Sequence, residues 1–153
     1  MHCAFLTHQG ARKYEKQTSY RMKNIHPPDN VELIRGEIAD YWYAPDGILY
    51  SYSKNPVRTV KNITENISLV KNITNNKIIP LLIYLSNSPV PDKATRQFST
   101  EQLPKVYSAM AMVSKPGLSK FIMNILFKLK QPPIPMKSFT DDRQARDWLK
   151  KYL

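Results

Sequence analysis

An uninterrupted apolar segment at residues 78–85 (IIPLLIYL) constrains the fold of this chain more than any other feature. A run of this length without polar alternation is typical of a central β-strand that is covered on both faces. Pro80 lacks an N–H, so we expect it at a position where the sheet does not require that donor. The segment therefore predicts a sheet with helices packed against it.

Further strands are predicted on both sides of this segment. Residues 31–43 and 48–53 are rich in β-branched and aromatic residues, and the turn-forming APDG between them predicts a β-hairpin. The aromatic residues of the hairpin are expected to pack across the two strands. Residues 106–113 and 136–139 are predicted as two more strands.

The segments between the strands have helical periodicity. Residues 57–74 repeat apolar residues at intervals of three or four, which predicts a helix with one apolar face. The residues of that face are Val60, Ile63, Ile67 and Val70. A shorter helix is predicted at residues 92–98, with Asp92 as its N-cap.

Two further helices are predicted after these. One spans residues 114–129, with Ser114 as its N-cap. The other spans residues 140–153, with Thr140 as its N-cap and the adjacent carboxylates 141–142 complementing the helix dipole. The core-facing residues of the last helix are Ala145, Trp148 and Leu149. The resulting order, β-β-α-β-α-β-α-β-α, predicts a mostly parallel, mixed sheet with the hairpin at an antiparallel edge.

Residues 1–28 differ from the rest of the chain. They contain all three histidines, the single cysteine and five basic residues against one acidic residue, without a persistent apolar period. We interpret them as a basic, disordered N-terminal tail before a single α/β domain at residues 29–153. Met22 is a second candidate for the start of translation. We see no secretory signal and no apolar stretch of membrane-spanning length, which predicts a cytoplasmic protein.

The residue types present in the predicted domain restrict its chemistry. Residues 30–153 contain no histidine, no cysteine and three glycines, which are Gly36, Gly47 and Gly117. A Ser-His-Asp triad, a cysteine nucleophile, a conventional zinc site and a glycine-rich nucleotide loop all lack the residues that form them. We therefore predict a non-enzymatic protein with no catalytic residues, no metal site and no cofactor.

The candidate partner-binding site is the loop and helix start that follow the predicted central strand. Ligands and partners of parallel α/β sheets bind at the carboxyl ends of the strands. The candidate residues are Ser86, Ser88, Asp92, Lys93 and Arg96. The two hydroxyls can accept a phosphate, and the two basic side chains can pair with it. An ordinary surface loop with turn residues is the alternative interpretation.

The formal net charge of +11 favours an acidic partner. We predict that the partner is another protein, with a small apolar ligand or an anionic lipid surface as the alternative. Nucleic acid is disfavoured because no arginine or lysine interleaves with the aromatic residues of the hairpin. An enclosed apolar cavity would favour ligand binding, whereas a tightly filled core would favour protein docking.

Several stretches together resemble a known family. The sequence FTDD at residues 139–142, followed by Ala145, Trp148 and Leu149, is similar to the usual ending of small bacterial STAS-related proteins of the SpoIIAA-like superfamily. The hairpin WYAPDGILYSYS and the strand-loop-helix LLIYLSNSPVPDKATRQF fit the same pattern. The resemblance covers roughly residues 30–153 and implies a STAS/SpoIIAA-like α/β fold.

The resemblance also bears on function. In the anti-sigma-factor antagonists of that superfamily, a serine at the start of the helix after the central strand is phosphorylated and controls partner docking. Asp92 occupies that place here, and the typical Asp-Ser-Ser-Gly signature is missing. The resemblance thus implies a regulatory protein-interaction module without implying a phosphorylation switch. Lipid-carrying CRAL-TRIO domains share the broader superfamily, which keeps the apolar-ligand alternative open.

Overall fold

A computed structural model of the protein describes residues 25–115, 117–118 and 132–153. Within these ranges six strands form one sheet, in the order β1-β2-β3-β4-β5-β6. The strands are β1 (Ile34–Arg35), β2 (Ala39–Tyr43), β3 (Leu49–Ser53), β4 (Ile79–Tyr84), β5 (Tyr107–Val113) and β6 (Met136–Phe139). The described helices are α1 (Val60–Ile73), α2 (Lys93–Gln102) and α3 (Asp142–Leu149).

The sheet is mixed, with its antiparallel part at one edge. β1, β2 and β3 pair antiparallel, whereas β3, β4, β5 and β6 pair parallel. The predicted hairpin is confirmed, because β2 and β3 align Tyr41 with Ser51 and Trp42 with Tyr50 around the turn at 44–47. The predicted parallel arrangement with an antiparallel edge is confirmed as well.

The segment predicted as one strand at 31–43 is divided into two, which corrects that prediction. The Gly36 N–H donates a hydrogen bond to the Ala39 carbonyl at 3.0 Å, so the chain turns back between β1 and β2. A Cβ atom on Gly36 would lie 2.6 Å from the Ala39 carbonyl oxygen, a distance that side chains do not tolerate. The turn therefore depends on a glycine, and it adds the short edge strand β1.

Helix α1 begins three residues later than predicted, because Thr59 forms its N-cap. The Thr59 side chain accepts a hydrogen bond from the Asn62 N–H at 3.1 Å, and Asn62 Oδ1 accepts one from the Thr59 N–H at 2.8 Å. This reciprocal pair is a capping box with asparagine in place of glutamate or glutamine. Val60 was predicted to face the core, but as the first helical residue it is 43% exposed, so that prediction is wrong.

The strand β4 lies in the middle of the sheet, as the apolar segment predicts. Its pairing with β5 shifts register between Ile79 and Leu81, so Pro80 lies at an irregularity of the ladder. The missing N–H of a proline is tolerated at such a position. Pro80 is also fully buried, and the irregularity places it inside the core without an unpaired donor.

The N-caps of α2 and α3 are aspartates. Asp92 accepts a hydrogen bond from the Thr95 N–H at 2.7 Å, which confirms its predicted capping role, although the helix extends beyond the predicted end to Gln102. The last helix is capped by Asp141, which accepts from the Arg143 N–H at 2.8 Å. Thr140 was predicted as the N-cap of this helix, but the N-cap is the next residue, so that prediction is wrong by one position.

The two faces of the sheet carry separate cores. The first face holds Tyr41, Leu81 and Met112, against which Ile67 and Val70 of α1 pack. The second face holds an aromatic and alanine-rich cluster that α3 covers with Ala145 and Leu149, and Trp148 packs at the margin, as predicted. The second-face cluster also contacts Ile25, upstream of the predicted domain boundary at residue 29.

Two predictions lie outside the described residues. The first 24 residues of the predicted tail at 1–28 are not described, and neither is most of the helix predicted at 114–129. Among the described helices, none has both the length and the apolar character needed to cross a membrane.

Candidate functional site

The candidate functional site is an apolar cavity of about 290 Å³ between the first face of the sheet and the helices α1 and α2. The sheet contributes Leu81 and Ile83 from β4 and Met110 and Met112 from β5. Further apolar wall residues are Ile38, Ala39, Ile63, Ile67, Leu85, Leu103, Val106, Leu118 and Met136. Residues 87–91, in the loop between β4 and α2, complete the wall. The volume lies just below the range of about 300 to 1,000 Å³ that is typical of small-molecule sites.

A polar pair, buried Tyr41 and half-buried Asn66, lines the cavity between β2 and α1. The Tyr41 hydroxyl donates a hydrogen bond to Asn66 Oδ1 at 3.0 Å, and Asn66 Nδ2 lies 2.8 Å from the same hydroxyl oxygen. Tyr107 also lines the wall. Burial raises the pKa of Tyr41 and of Tyr107, so both phenols remain protonated at neutral pH. The pair thus supplies neutral hydrogen-bonding groups in a largely apolar surface.

Arg58 adds a positive charge to the wall. Its guanidinium donates hydrogen bonds to the carbonyl oxygens of Lys54 at 2.9 Å, Pro56 at 3.2 Å and Ile38 at 3.3 Å. It also donates to Ser53 Oγ at 2.8 Å. Burial lowers the pKa of Arg58, and no carboxylate among the described residues forms an ion pair with it. Arg58 therefore joins β3 to the start of α1 while leaving its charge uncompensated by an acid.

Arg96 lines the cavity from the first turn of α2. Its Nη1 donates to the Pro91 carbonyl at 2.7 Å, which fixes the end of the loop against the helix. That bond uses one of the five guanidinium donors. No further side-chain bond and no ion pair of Arg96 is formed within the described ranges. The side chain is half-buried, so most of its donors are available to a ligand.

The residues predicted from sequence as the partner-binding site divide into two groups. Ser88 and Arg96 line the cavity. The other three do not: Ser86 donates to the Ser53 carbonyl at 2.7 Å, Asp92 caps α2, and Lys93 is exposed. The structure thus brings two of the five residues together at one cavity, and Ser86 and Asp92 have structural partners. Binding of a partner by this segment stays a prediction.

The sequence interpretation did not identify Tyr41, Arg58, Asn66 or Tyr107 as site residues. One local signal was present for Asn66, which lies three residues after Ile63 and four before Val70 and therefore falls on the apolar stripe of α1. A polar residue on such a stripe needs a buried partner. The other three gave no local signal, because they converge from separate strands and loops.

The groups in this site favour binding over chemistry. The charged wall residues among those described are Arg58 and Arg96. No cluster of three or more histidine, cysteine, aspartate or glutamate residues that could hold a metal ion occurs within residues 25–115, 117–118 and 132–153. A site of this composition can hold an apolar molecule and hydrogen-bond or neutralise one polar end of it.

The fold and the site define a mixed α/β protein with an apolar cavity between one face of its sheet and two helices. The chain belongs to the family named Domain of unknown function (DUF7793), whose model matches residues 41–153. No curated protein matched the chain.

One solved structure similar to this chain is that of an uncharacterised protein from the DUF3478 family of Shewanella loihica PV-4, described as having a SpoIIAA-like fold. The two share 17% sequence identity with a TM-score of 0.48, over 78% of this chain and 91% of the other. The mixed α/β architecture predicted from the sequence is observed in the strand order and pairing of this chain.

Proposed function

We propose that this protein is a non-enzymatic binding protein for a small apolar molecule held in the cavity beneath the loop at 86–91. The observation that carries the proposal is the cavity of about 290 Å³, with a floor of leucine, isoleucine and methionine side chains. Transfer of apolar surface from water into such a site is favourable by roughly 25 cal/mol per Å². A small apolar ligand therefore gains free energy there without specific bonds.

The wall composition supports binding without catalysis. Enzymes usually take a proton with a histidine or a carboxylate placed against the substrate. The described wall contains neither, and its phenols remain protonated at neutral pH. The same wall supports a reversible ligand, because it offers no cysteine for a covalent bond.

The test uses the methionine methyl groups as reporters. Met110, Met112 and Met136 line the cavity, so their methyl NMR signals should shift on titration with octanol, an uncharged eight-carbon probe. Ser99→Phe adds an aromatic ring to the cavity wall and should abolish these shifts. Gln97→Phe adds the same ring on the exposed side of α2 and should leave them unchanged.

Two results would contradict the proposal. The first is the absence of methionine shifts with octanol and also with octanoate, its carboxylate counterpart. The second is equal binding by Ser99→Phe and the parent protein, because the ligand would then occupy another place.

A protein-interaction module is the second candidate function, and the outer side of the same loop favours it. Val90 is 49% exposed, although it also lines the cavity, and Lys93 is exposed three positions later. An apolar side chain next to a positive charge suits an acidic protein surface. Lys93→Glu, which changes a residue outside the cavity wall, should then weaken association with an acidic partner protein, while Ser99→Phe should not. The reverse result would assign the association to the cavity.

A further inference from the structure

Among the described residues, the charged side chains of the wall have one sign, although the carboxylate of Asp92, the N-cap of α2, lies near Arg96 and outside this cavity. Arg58 and Arg96 line it, whereas no aspartate or glutamate occurs among the described wall residues. Two guanidinium groups beside apolar side chains raise the electrostatic potential of a partly desolvated space. An anion gains free energy in such a field and a cation loses it, so the cavity discriminates between ligands of opposite charge.

The two arginines differ in how many donors they can offer. Arg58 already donates four hydrogen bonds to the surrounding chain, so it acts mainly through its charge. Arg96 donates to the Pro91 carbonyl alone among the described residues. Ser88 and the exposed residues Asn87 and Pro89 belong to the same cavity wall. Arg96 is therefore the group that can bond an anionic head group directly.

The apolar and cationic parts of the wall come from different layers. Leu81, Ile83 and Met112 rise from the sheet and form the floor, while Arg96 reaches the cavity from α2. This arrangement matches a molecule with one apolar tail and one anionic end. The small volume excludes a lipid with two long acyl chains from being fully enclosed.

We infer that the cavity selects a single-chain carboxylate, with the tail against the sheet and the carboxylate paired with Arg96. This inference rests on the proposed function and adds the chemical class of its ligand. The planar fork of a guanidinium matches the two oxygens of a carboxylate and forms two parallel hydrogen bonds with them. A charge-assisted bond of this kind is stronger than a neutral one, which gives the carboxylate its advantage over an alcohol.

The experiment compares three probes of equal chain length at neutral pH: octanoate, octanol and octylamine. Dissociation constants come from the methionine methyl shifts. We expect octanoate to bind at least about tenfold more tightly than octanol, and octylamine to bind more weakly than octanol. The full chain is used throughout.

Three substitutions test whether Arg96 causes the preference for octanoate over octanol. Arg96→Gln keeps a donor for the Pro91 carbonyl but removes the charge, and it should make octanoate and octanol bind about equally. Arg96→Lys restores the charge and should recover part of the preference. Lys93→Gln removes an exposed positive charge three residues away, outside the cavity wall, and should leave the preference unchanged.

The outcomes separate this inference from the proposed function. Equal binding of octanoate and octanol by the parent protein would overturn the selectivity and leave the apolar-ligand function intact.

An unchanged preference for octanoate in Arg96→Gln, with the thermal melt of the variant like that of the parent, would overturn the role of Arg96. If Arg96→Gln does not fold, loss of the preference at high salt still supports the charge mechanism, and a salt-independent preference overturns it. Failure of all three probes to bind overturns both proposals.

Discussion

Trp42 on β2 stacks against Tyr50 on β3, with ring centroids 5.4 Å apart and ring planes inclined by 8°. Trp42 also lies 6.2 Å from the Tyr84 ring on β4, with an interplanar angle of 16°. The three rings join the antiparallel edge to the central strand on the second face of the sheet. Since all three are buried, they form a continuous part of that core.

Trp42→Ala should lower the free energy of unfolding by about 3–5 kcal/mol, the usual cost of truncating a buried aromatic side chain. The matched control is Tyr43→Ala, the adjacent residue on the opposite side of the strand, which is exposed. The control should change stability by less than about 1 kcal/mol. Urea denaturation of both variants measures the difference, and equal effects would show that the aromatic stack does not stabilise the sheet.

Arg58→Met should destabilise the protein by about 1–3 kcal/mol, because its hydrogen-bond acceptors at the end of β3, in the following loop and just before β2 lose their donor. Lys61→Met, a change of similar size on the exposed side of α1, should cost less than about 0.5 kcal/mol. Thermal melts at the same pH provide the comparison. A melt of Arg58→Met that overlays the parent melt would mean that water replaces the guanidinium at no cost.

Alkaline pH should destabilise the fold through its buried tyrosines. Burial raises the folded-state pKa of Tyr41, Tyr50, Tyr84 and Tyr107 above the ordinary value of 10.0. Between that value and the raised one, the folded protein binds more protons than the unfolded chain. Stability is therefore fully present below pH 10 and falls above it, by at most about 1.4 kcal/mol per pH unit for each fully buried tyrosine.

This pH dependence is measured by urea denaturation from pH 8 to pH 11, a range that begins below the ordinary tyrosine pKa. Tyr107→Phe should make the decline with pH less steep. Leu82→Val, which alters the buried core without a titratable group, should lower stability equally at every pH. A decline in Tyr107→Phe that parallels the parent decline would exclude this tyrosine as a source of the effect.

Gly36→Ala should destabilise the turn between β1 and β2 by about 1–3 kcal/mol, since the added methyl group forces the Ala39 carbonyl to move. The same carbonyl accepts the Gly36 N–H, so the hydrogen bond of the turn should weaken as well. Amide hydrogen exchange at Gly36 and Tyr41 should become faster than in the parent protein. Unchanged exchange and an unchanged melt would show that β1 contributes nothing to stability.

Much of the fold was predictable because its signals are local. The apolar run predicted β4, the APDG turn predicted the hairpin, and Asp92 was predicted as a cap from its position before a helical period. The errors also have local causes. Val60 fits the apolar period of α1, but the Thr59 cap places it at the first helical position, where the helix does not yet lie over the sheet.

The candidate site was predictable only in part. The loop at 86–96 was found because it follows a central strand, and its Ser88 and Arg96 do line the cavity. The cavity itself depends on the distance of α1 and α2 from the sheet. The apolar periodicity of the sequence does not determine that distance. The hydrogen bond between Tyr41 and Asn66 spans 25 positions along the chain, so neither residue indicates its partner.

The position of α3 has a consequence for biosynthesis. Leu82, Ala109 and Ala111 are fully buried beneath Ala145 and Leu149, and all six strands as well as the described helices α1 and α2 precede the segment that shields them. A chain that lacks residues 142–149 leaves this side of the sheet without its cover, so that a broad apolar surface is exposed. Uncovered surfaces of this kind recruit chaperones and promote aggregation. A chain released after residue 141 should therefore be bound by chaperones in cells, whereas a chain that includes residues 142–149 should not.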